Sequence, residues 1–264
     1  MNDRLDPTLT EPVRYERDAR GVITLTLNRP NSFNALSEAM LDALQAAVDR
    51  VAADDGARVV VLAAEGKAFC AGHDLKEMRA EPSLDYYQRL FSQCARFMMA
   101  LQRLPVPVIA QVQGIATAAG CQLVAMCDLA VAARNARFAV SGVNLGLFCS
   151  TPGVALSRNL GRKAAFEMLV TGDFISAEQA QEQGLVNRVV DAADLQSETA
   201  RLVERILSKP RVAIAAGKGL FYRQIETGID SAYEDAARTM ACNMMDPSAL
   251  EGVQAFIDKR SPNW

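Results

Sequence analysis

Residues Ala68 to Leu75 read Ala-Phe-Cys-Ala-Gly-His-Asp-Leu, and residues Gln113 to Gln122 read Gln-Gly-Ile-Ala-Thr-Ala-Ala-Gly-Cys-Gln. Each of these small-residue loops follows an apolar run that predicts a buried strand, Val59–Ala64 and Val108–Val112, and each precedes a predicted helix. Two such junctions can direct two backbone N–H groups at one point, where helix N-termini favour negative charge. The pattern predicts a site that holds an oxyanion.

Strands and helices alternate outward from these loops. Val22–Leu27 alternates and is rich in β-branched residues, which predicts a strand. Ser37 predicts the N-cap of a helix through Ala52, and Asn28–Asn34 is a polar turn. The other predicted strands are Leu129–Ala133 and Phe138–Val140, and the other predicted helices are Leu84–Leu104, Ala118–Met126, Lys163–Val170, Ala177–Gln183, Leu195–Leu207, Arg211–Ile225, Thr239–Asn243 and Ser248–Lys259. The spacing indicates repeats of strand, strand-edge loop and helix in an α/β fold.

Composition narrows the class of protein. The chain has 264 residues, half of them hydrophobic, which is enough for a large buried core. Its net charge of −3 is not that of a nucleic-acid-binding domain, so no nucleic-acid partner is expected. The six cysteines form no Cys-x-x-Cys pair and predict reduced, packed thiols, with no metal site.

The N-terminus and the apolar runs bear on location. No apolar run reaches the length needed to span a bilayer, so no membrane partner is expected. The segment from Met1 to Glu11 is polar and acidic, unlike a secretory signal or a transit peptide, and is expected to be a loose leader. The sequence predicts a cytoplasmic location.

Several short segments, taken in order, resemble one family. They are Leu27-Asn28-Arg29-Pro30, Asn34-Ala35-Leu36, Ala68 to Asp74, Pro107 to Gly114, Gly120-Cys121-Gln122-Leu123, Met126-Cys127-Asp128, Thr171-Gly172-Asp173 and Gly184-Leu185-Val186. With these segments the chain resembles the enoyl-CoA hydratase/isomerase superfamily, the crotonases, over nearly its whole length. The resemblance implies a spiral ββα core that binds acyl-CoA, residues 1–200, followed by a helical extension, residues 201–264. In the family this extension covers CoA and packs homotrimers or hexamers.

The resemblance also assigns a site for an acyl-CoA or enoyl-CoA thioester. The backbone N–H groups of His73 and Ala119 would stabilise the enolate oxygen. No cofactor is implied, because CoA is part of the substrate. Its CoA moiety would contact Arg29, Ala71, Asp74, Phe256 and Lys259.

The chain departs from the family at two catalytic positions. The family's hydratases hold a water between two glutamates, one acting as base and the other as acid. Gln122 stands at the first position and Gly142 at the second, in Val140-Ser141-Gly142. An amide cannot accept the proton and glycine has no side chain. Hydration of 2-enoyl-CoA is the nominal reaction of the family, but this chain lacks the pair of glutamates that usually acts as its acid and base.

Other residues leave alternatives open. Cys149 or Ser150 could act as a nucleophile if a helix begins there and lowers the thiol pKa, whereas Ser150 or Thr151 could simply cap that helix. Asp74 could fix its loop or serve as a remote base, with Glu77 nearby, and the side chain of His73 is expected to pack or to face CoA. The alternatives to hydration are thioester hydrolysis, decarboxylation, or a non-catalytic CoA-binding or assembly protein. The sequence holds neither Gly-x-Ser-x-Gly nor Gly-x-Gly-x-x-Gly after its first strand, which argues against an α/β-hydrolase and a nicotinamide dehydrogenase.

Overall fold

The computed structural model describes residues 11–80 and 82–264, so residues 1–10 of the predicted leader lie outside the described part. Within it the strands are β1 Val13–Arg17, β2 Val22–Leu27, β3 Val59–Ala64, β4 Ala68–Cys70, β5 Val108–Val112, β6 Ile115–Thr117, β7 Leu129–Ala133, β8 Arg137–Ala139, β9 Ile175–Ser176 and β10 Arg188–Val190. The helices are α1 Glu38–Ala52, α2 Leu75–Ala80, α3 Leu84–Arg103, α4 Ala119–Met126, α5 Ser150–Asn159, α6 Arg162–Thr171, α7 Ala177–Glu182, α8 Leu195–Leu207, α9 Arg211–Gln224, α10 Ile229–Met244 and α11 Pro247–Ile257.

The strands form two sheets. The larger sheet has the order β1-β2-β3-β5-β7-β10, and the smaller has the order β4-β6-β8-β9. Strands β2, β3, β5, β7 and β10 pair in parallel, and β1 joins the larger edge antiparallel. In the smaller sheet β4, β6 and β8 are parallel, and β9 is antiparallel to β8.

The chain winds between the two sheets in a repeated unit. A strand of the larger sheet is followed at once by a strand of the smaller sheet, as in β3–β4, β5–β6 and β7–β8, and a helix follows before the next unit. This arrangement confirms the predicted α/β spiral. The two loops quoted first differ from expectation in that each contains a short strand, β4 or β6. Three residues are too few to establish the alternation that a sequence pattern needs.

The larger sheet is buried on both faces, which explains why β3 is apolar throughout. Val60 and Leu62 face the main core, whereas Val59 and Val61 pack in a second cluster with residues of α8. A parallel strand covered on both faces reads as a continuous hydrophobic run. The boundaries predicted for β2, β3, β5, β7 and α8 agree with the structure residue for residue.

Strands β1, β9 and β10 were not predicted, and helix α10 begins earlier than predicted. Strand β1 was not predicted, because it is an edge strand with charged residues at Arg14, Glu16 and Arg17 and only Val13 fully buried. Helix α10 begins at Ile229, ten residues before the predicted start at Thr239, and none of its residues is buried in the described chain. Without a buried face, the apolar periodicity that marks a helix is weak.

A buried ion pair fastens α9 to the core. The side chains of Lys218 and Asp128 are 7% and 13% exposed, and Lys218 Nζ lies 2.7 Å from Asp128 Oδ2. Asp128 also accepts hydrogen bonds from the Val108 N–H at 2.6 Å and the Tyr222 hydroxyl at 2.8 Å. Burial lowers the pKa of the Lys218 ammonium and the Asp128 charge opposes that shift. Burial also raises the pKa of Tyr222.

The predicted division into a core and a helical extension at residue 200 falls inside α8. The buried side chains of α8 pack on the larger sheet, and the division stays a prediction.

None of the described helices combines the length and the apolar character needed to cross a bilayer. The six cysteines are free; five are buried and Cys242 is exposed.

Candidate functional site

The two small-residue loops meet with no side chain between them. A Cβ added to Gly72 would lie 2.9 Å from Ala118 Cβ and 3.2 Å from the Ala119 nitrogen. A Cβ added to Gly120 would lie 2.0 Å from the Cys70 carbonyl oxygen. Gly72 has a φ of +88°, which favours glycine on conformational grounds as well. These two glycines let the loop after β4 and the start of α4 lie directly against each other.

Two backbone N–H groups at this junction have no hydrogen-bond partner in residues 11–80 and 82–264. Leu36 accepts a hydrogen bond from the Asp74 N–H and donates one to Gly72, and the His73 N–H between them makes no such bond. Ala119 is the first residue of α4, and its N–H likewise donates to no group among the described residues. His73 and Ala119 line the same cavity. The two residues with unused N–H groups therefore border one cavity, and one of them stands at a helix N-terminus.

The backbone just before α4 is strained. Ala118 has φ 50° and ψ −122°, which are the angles of the first central residue of a type II′ turn and are normally adopted by glycine. A non-glycine residue in such a region costs about 1–3 kcal/mol. The methyl group of Ala118 also faces Gly72.

Replacing Ala118 with glycine should raise the free energy of unfolding by about 1 kcal/mol, because the strain relieved exceeds the added chain entropy of glycine. The matched control is Ala119→Gly, at the first residue of α4. This change should lower the free energy of unfolding by about 1 kcal/mol, because glycine weakens a helix. Chemical denaturation of both variants checks the opposite signs, and a loss of stability in Ala118→Gly would contradict the strain.

The cavity has a volume of about 530 Å³. Its wall comes from the turn before α1, the loop before α2, α3, the start of α4 and the segment from β8 to α5. The lining residues are Asn31, Ser32, Phe33, Ala35, Ala71, His73, Asp74, Leu75, Lys76, Met78, Phe91, Ala118, Ala119, Ser141, Gly142, Leu145, Leu147, Phe148, Cys149, Ser150, Thr151 and Pro152. Asp74 is the one carboxylate in this described lining.

The His73 side chain packs against an aromatic ring. Its imidazole meets Phe91 edge to face, with ring centroids 5.4 Å apart. Neither ring nitrogen makes a hydrogen bond of normal geometry to a described residue. Burial lowers the pKa of His73, and the Leu36 carbonyl opposes part of that shift. Burial therefore favours the neutral form of this imidazole, which packs against Phe91.

Asp74 and Glu77 hold the first loop to its surroundings. Asp74 Oδ1 accepts a hydrogen bond from the Lys76 N–H at 3.0 Å, in the first turn of α2. Glu77 Oε2 accepts one from the Glu38 N–H at 3.0 Å, at the start of α1. Both carboxylates thus have positioning contacts.

Gln122 and Gly142, the residues predicted to stand in place of the family glutamates, differ in their surroundings. Gln122 is 4% exposed, lies outside the cavity lining, and its Oε1 accepts no hydrogen bond in the described chain. Gly142 lines the cavity, but a Cβ there would lie 2.5 Å from the Leu147 carbonyl oxygen and 2.7 Å from Cys149 Sγ. The space that a side chain at position 142 would need is filled.

Cys149 and Ser150 lie on the cavity wall at the start of α5. The expectation that Ser150 or Thr151 caps this helix is wrong, because Cys149 is the N-cap residue and no side chain makes a capping hydrogen bond. The alternative of a nucleophilic Cys149 calls for a lowered thiol pKa, whereas burial raises the pKa of Cys149. Ser150 Oγ donates to the Phe148 carbonyl at 3.3 Å.

Three of the predicted CoA contacts lie away from this lining. Arg29 donates to Ser37 Oγ at 2.8 Å, next to the start of α1. Phe256, on α11, is 85% exposed, and Lys259 follows that helix with a φ of 56°. Ala71 and Asp74 do line the cavity. No group of three or more histidine, cysteine or carboxylate side chains within the described ranges could hold a metal ion.

The sequence reasoning missed one polar pair at the site. Thr117 Oγ1 and Ser141 Oγ lie 2.9 Å apart, and Ser141 lines the cavity. Ser141 is the neighbour of Gly142, and Thr117 lies within the loop from Gln113 to Gln122. The pairing depends on β6 and β8 being neighbours, which neither segment reveals alone.

Comparisons with known proteins agree with this fold. The profile of the family described as Enoyl-CoA hydratase/isomerase matches residues 17–264. The human enoyl-CoA hydratase domain-containing protein 3, mitochondrial, is 46% identical over 248 residues, which cover 94% of this chain and 82% of that protein. A solved enoyl-CoA hydratase from Mycobacterium smegmatis has a TM-score of 0.95 at 70% identity, over 96% of this chain and 98% of that one. The crystal structure of human enoyl-CoA hydratase domain-containing protein 3 has a TM-score of 0.92 at 45% identity, and the match covers 96% of this chain and 100% of that one.

These comparisons correct the predicted location. Four relatives that are 43–47% identical to this chain are named mitochondrial. The prediction of a cytoplasmic location is therefore wrong. It rested on the polar, acidic segment from Met1 to Glu11, on the absence of a membrane-spanning apolar run and on the cysteine pattern.

Proposed function

Because the chain belongs to the enoyl-CoA hydratase/isomerase (crotonase) superfamily, we propose that it is an enzyme that binds an acyl-CoA or enoyl-CoA thioester and stabilises its enolate. The carbonyl oxygen of the thioester accepts hydrogen bonds from the N–H groups of His73 and Ala119. When the α-carbon becomes an enolate, that oxygen gains negative charge, and fixed donors lower the energy of the charged state.

The observation that carries this proposal is the pair of unused N–H groups on one cavity wall. A buried donor without a partner costs free energy, so a protein that keeps two of them side by side needs a ligand or water to accept them. Loss of one such donor typically reduces the rate by about 10²–10³-fold. The donors belong to the backbone, so the alanine at position 119 serves as well as the glycine of many relatives.

Hydration of 2-enoyl-CoA is the family's nominal reaction, but this site offers it little acid–base support. Gln122 cannot take a proton at neutral pH, and Gly142 has no side chain and no room for one. Burial favours the neutral form of the His73 imidazole, which packs on Phe91. A positioned acid or base contributes about 10²–10⁴-fold to a rate, so hydration here would be slow.

The lack of a base favours decarboxylation as a second candidate reaction. In a 2-carboxyacyl thioester, the bond between the α-carbon and the carboxylate breaks and its electron pair forms the enolate as CO₂ leaves. This step needs donors for the enolate oxygen and no base. Hydrolysis through Cys149 has weaker support, because burial raises the pKa of that thiol and keeps it protonated.

We also propose that the chain forms a homotrimer or hexamer through its C-terminal helices. Large apolar side chains of α10 and α11 are exposed in the single chain: Ile229, Tyr233, Met240, Leu250, Val253, Phe256 and Ile257. Exposed apolar surface made of neighbouring large side chains favours association between protein chains. Phe256 and Lys259 would then reach the CoA bound by a neighbouring copy, which fits their distance from the cavity lining of their own chain.

A matched pair of ligands tests the carbonyl contact. Butyryl-CoA should bind about 10-fold more tightly than S-butyl-CoA, a thioether that lacks the carbonyl oxygen, because each hydrogen bond contributes about 0.5–1.5 kcal/mol. Titration calorimetry of the oligomer measures both dissociation constants. Equal affinity would refute the carbonyl contact, and binding of neither ligand would refute CoA-thioester binding.

Turnover assays with the same samples distinguish hydration, measured with crotonyl-CoA, from decarboxylation, measured with a 2-carboxyacyl-CoA. Turnover of neither substrate, with binding intact, would indicate a non-catalytic protein.

A further inference from the structure

The paired hydroxyl groups of Thr117 and Ser141 have a role that the proposed function leaves unassigned. Their oxygens lie 2.9 Å apart. Thr117 ends β6 and lies opposite Ala139 of β8 in a parallel pair, so Ser141, two residues beyond Ala139, is held beside it. The contact joins the ends of two strands in the smaller sheet, and each backbone is fixed by its ladder.

The pair has hydrogen-bonding capacity left over. Each hydroxyl has one proton and two acceptor positions, so one bond between them leaves one O–H and several lone pairs unused. Ser141 lines the cavity and Thr117 does not. The spare capacity of the pair is therefore presented to a ligand through Ser141, while Thr117 restricts the rotation of its hydroxyl.

The pair lies close to the two unused N–H groups. The Ala118 N–H donates to the Ala139 carbonyl at 3.0 Å, so the segment before Ala119 is bonded to the strand that leads to Ser141. Thr117 precedes Ala119 by two residues, a span of at most about 7 Å. Ser141 and Ala119 also line the same cavity, so one acyl chain can contact Ser141 while its thioester carbonyl is held at Ala119.

We infer that Ser141, positioned by Thr117, recognises an oxygen on the acyl chain near the thioester carbonyl, so that the site prefers 3-oxygenated acyl thioesters to plain saturated ones. The inference rests on the proposed binding of acyl-CoA thioesters. The neighbouring position 142 offers no side chain, and Asp74, the one carboxylate of the described lining, is bonded to the start of α2. A neutral hydroxyl that both donates and accepts suits a hydroxyl group on the ligand.

The test compares the dissociation constants of butyryl-CoA and of each enantiomer of 3-hydroxybutyryl-CoA. The wild-type oligomer should bind one enantiomer about 5- to 10-fold more tightly than butyryl-CoA. Ser141→Ala should reduce the ratio of the butyryl-CoA dissociation constant to that of the preferred enantiomer to about 1. Thr117→Val should reduce it several-fold, whereas Thr117→Ser, which keeps the hydroxyl, should retain it.

Ser157→Ala serves as the matched control, because Ser157 is an exposed α5 residue outside the cavity lining whose hydroxyl bonds to Val154. It should leave the ratio at the wild-type value. A wild type without preference, or a Ser141→Ala variant that keeps the preference, would overturn the inference while butyryl-CoA binding stands. If no thioester binds the wild type, the proposed function itself fails.

Discussion

Replacing Asp128 with alanine should lower the free energy of unfolding by about 3–5 kcal/mol, because it leaves the ammonium group of Lys218 buried without its counter-charge. The Lys218 side chain is 7% exposed, and its remaining partners are the carbonyl oxygens of Leu101 and Val106, at 3.2 and 2.9 Å. The Val108 N–H and the Tyr222 hydroxyl lose their acceptor as well. The helix α9 should detach first, since Lys218 and Tyr222 bond it to Asp128, and only Arg211 of its other described side chains bonds to the Ala57 carbonyl.

Urea unfolding at pH 7 measures the effect, and two further variants identify its cause. Asp128→Asn combined with Lys218→Met should be more stable than Asp128→Asn alone, because the second change removes the unpaired charge. Glu178→Ala breaks an exposed ion pair with Arg134 and should leave the unfolding midpoint almost unchanged. If the double variant is less stable than the single one, the buried charge is not the source of the loss.

Replacing Gly120 with alanine should cost about 3 kcal/mol of stability and abolish detectable thioester binding. The new Cβ would overlap the Cys70 carbonyl oxygen at 2.0 Å, a backbone atom of β4 that cannot rotate away. Overpacking of a core typically costs about 1–3 kcal/mol, and a contact this short lies at the upper end. Moving α4 away from β4 also moves the Ala119 N–H relative to that of His73.

The control for Gly120 is another glycine-to-alanine change in a helix. A Cβ at Gly217, within α9, meets no atom within 4 Å, so Gly217→Ala should raise stability by about 0.5–1 kcal/mol through helix propensity. Denaturation and butyryl-CoA titration of both variants measure the two effects. A Gly120→Ala variant that binds butyryl-CoA with wild-type affinity would show that the two loops need not touch at this point.

Apolar periodicity and capping residues were sufficient to predict the framework. Ser37 caps α1 by accepting a hydrogen bond from the Met40 N–H, as expected, and the buried strands β3 and β5 have the predicted bounds. Both signals are local, because a strand covered on two faces or a cap reports on a few neighbouring residues. Strand β1 and the first half of α10 lack a buried stripe, and local sequence does not reveal them.

The candidate site was predictable where sequence motifs resemble those of the family, and it was not predictable where a contact depends on the order of strands. The positions of His73 and Ala119 on a common cavity follow from two motifs, but the pairing of Thr117 with Ser141 depends on the order of strands in the smaller sheet. Cys149 shows the same limit. A helix does start there, yet the thiol is buried against Gly142, and this burial raises its pKa.

The crowding at Gly142 also restricts how this protein can change over generations. A glutamate there would meet the Leu147 carbonyl oxygen and the Cys149 sulfur, so the codon change that supplies a carboxylate also disrupts the loop that it faces. A rebuilt loop, in turn, brings no advantage before the carboxylate arrives. The two steps are joined by reciprocal epistasis, and a path of single substitutions toward a two-carboxylate site passes through a less stable protein.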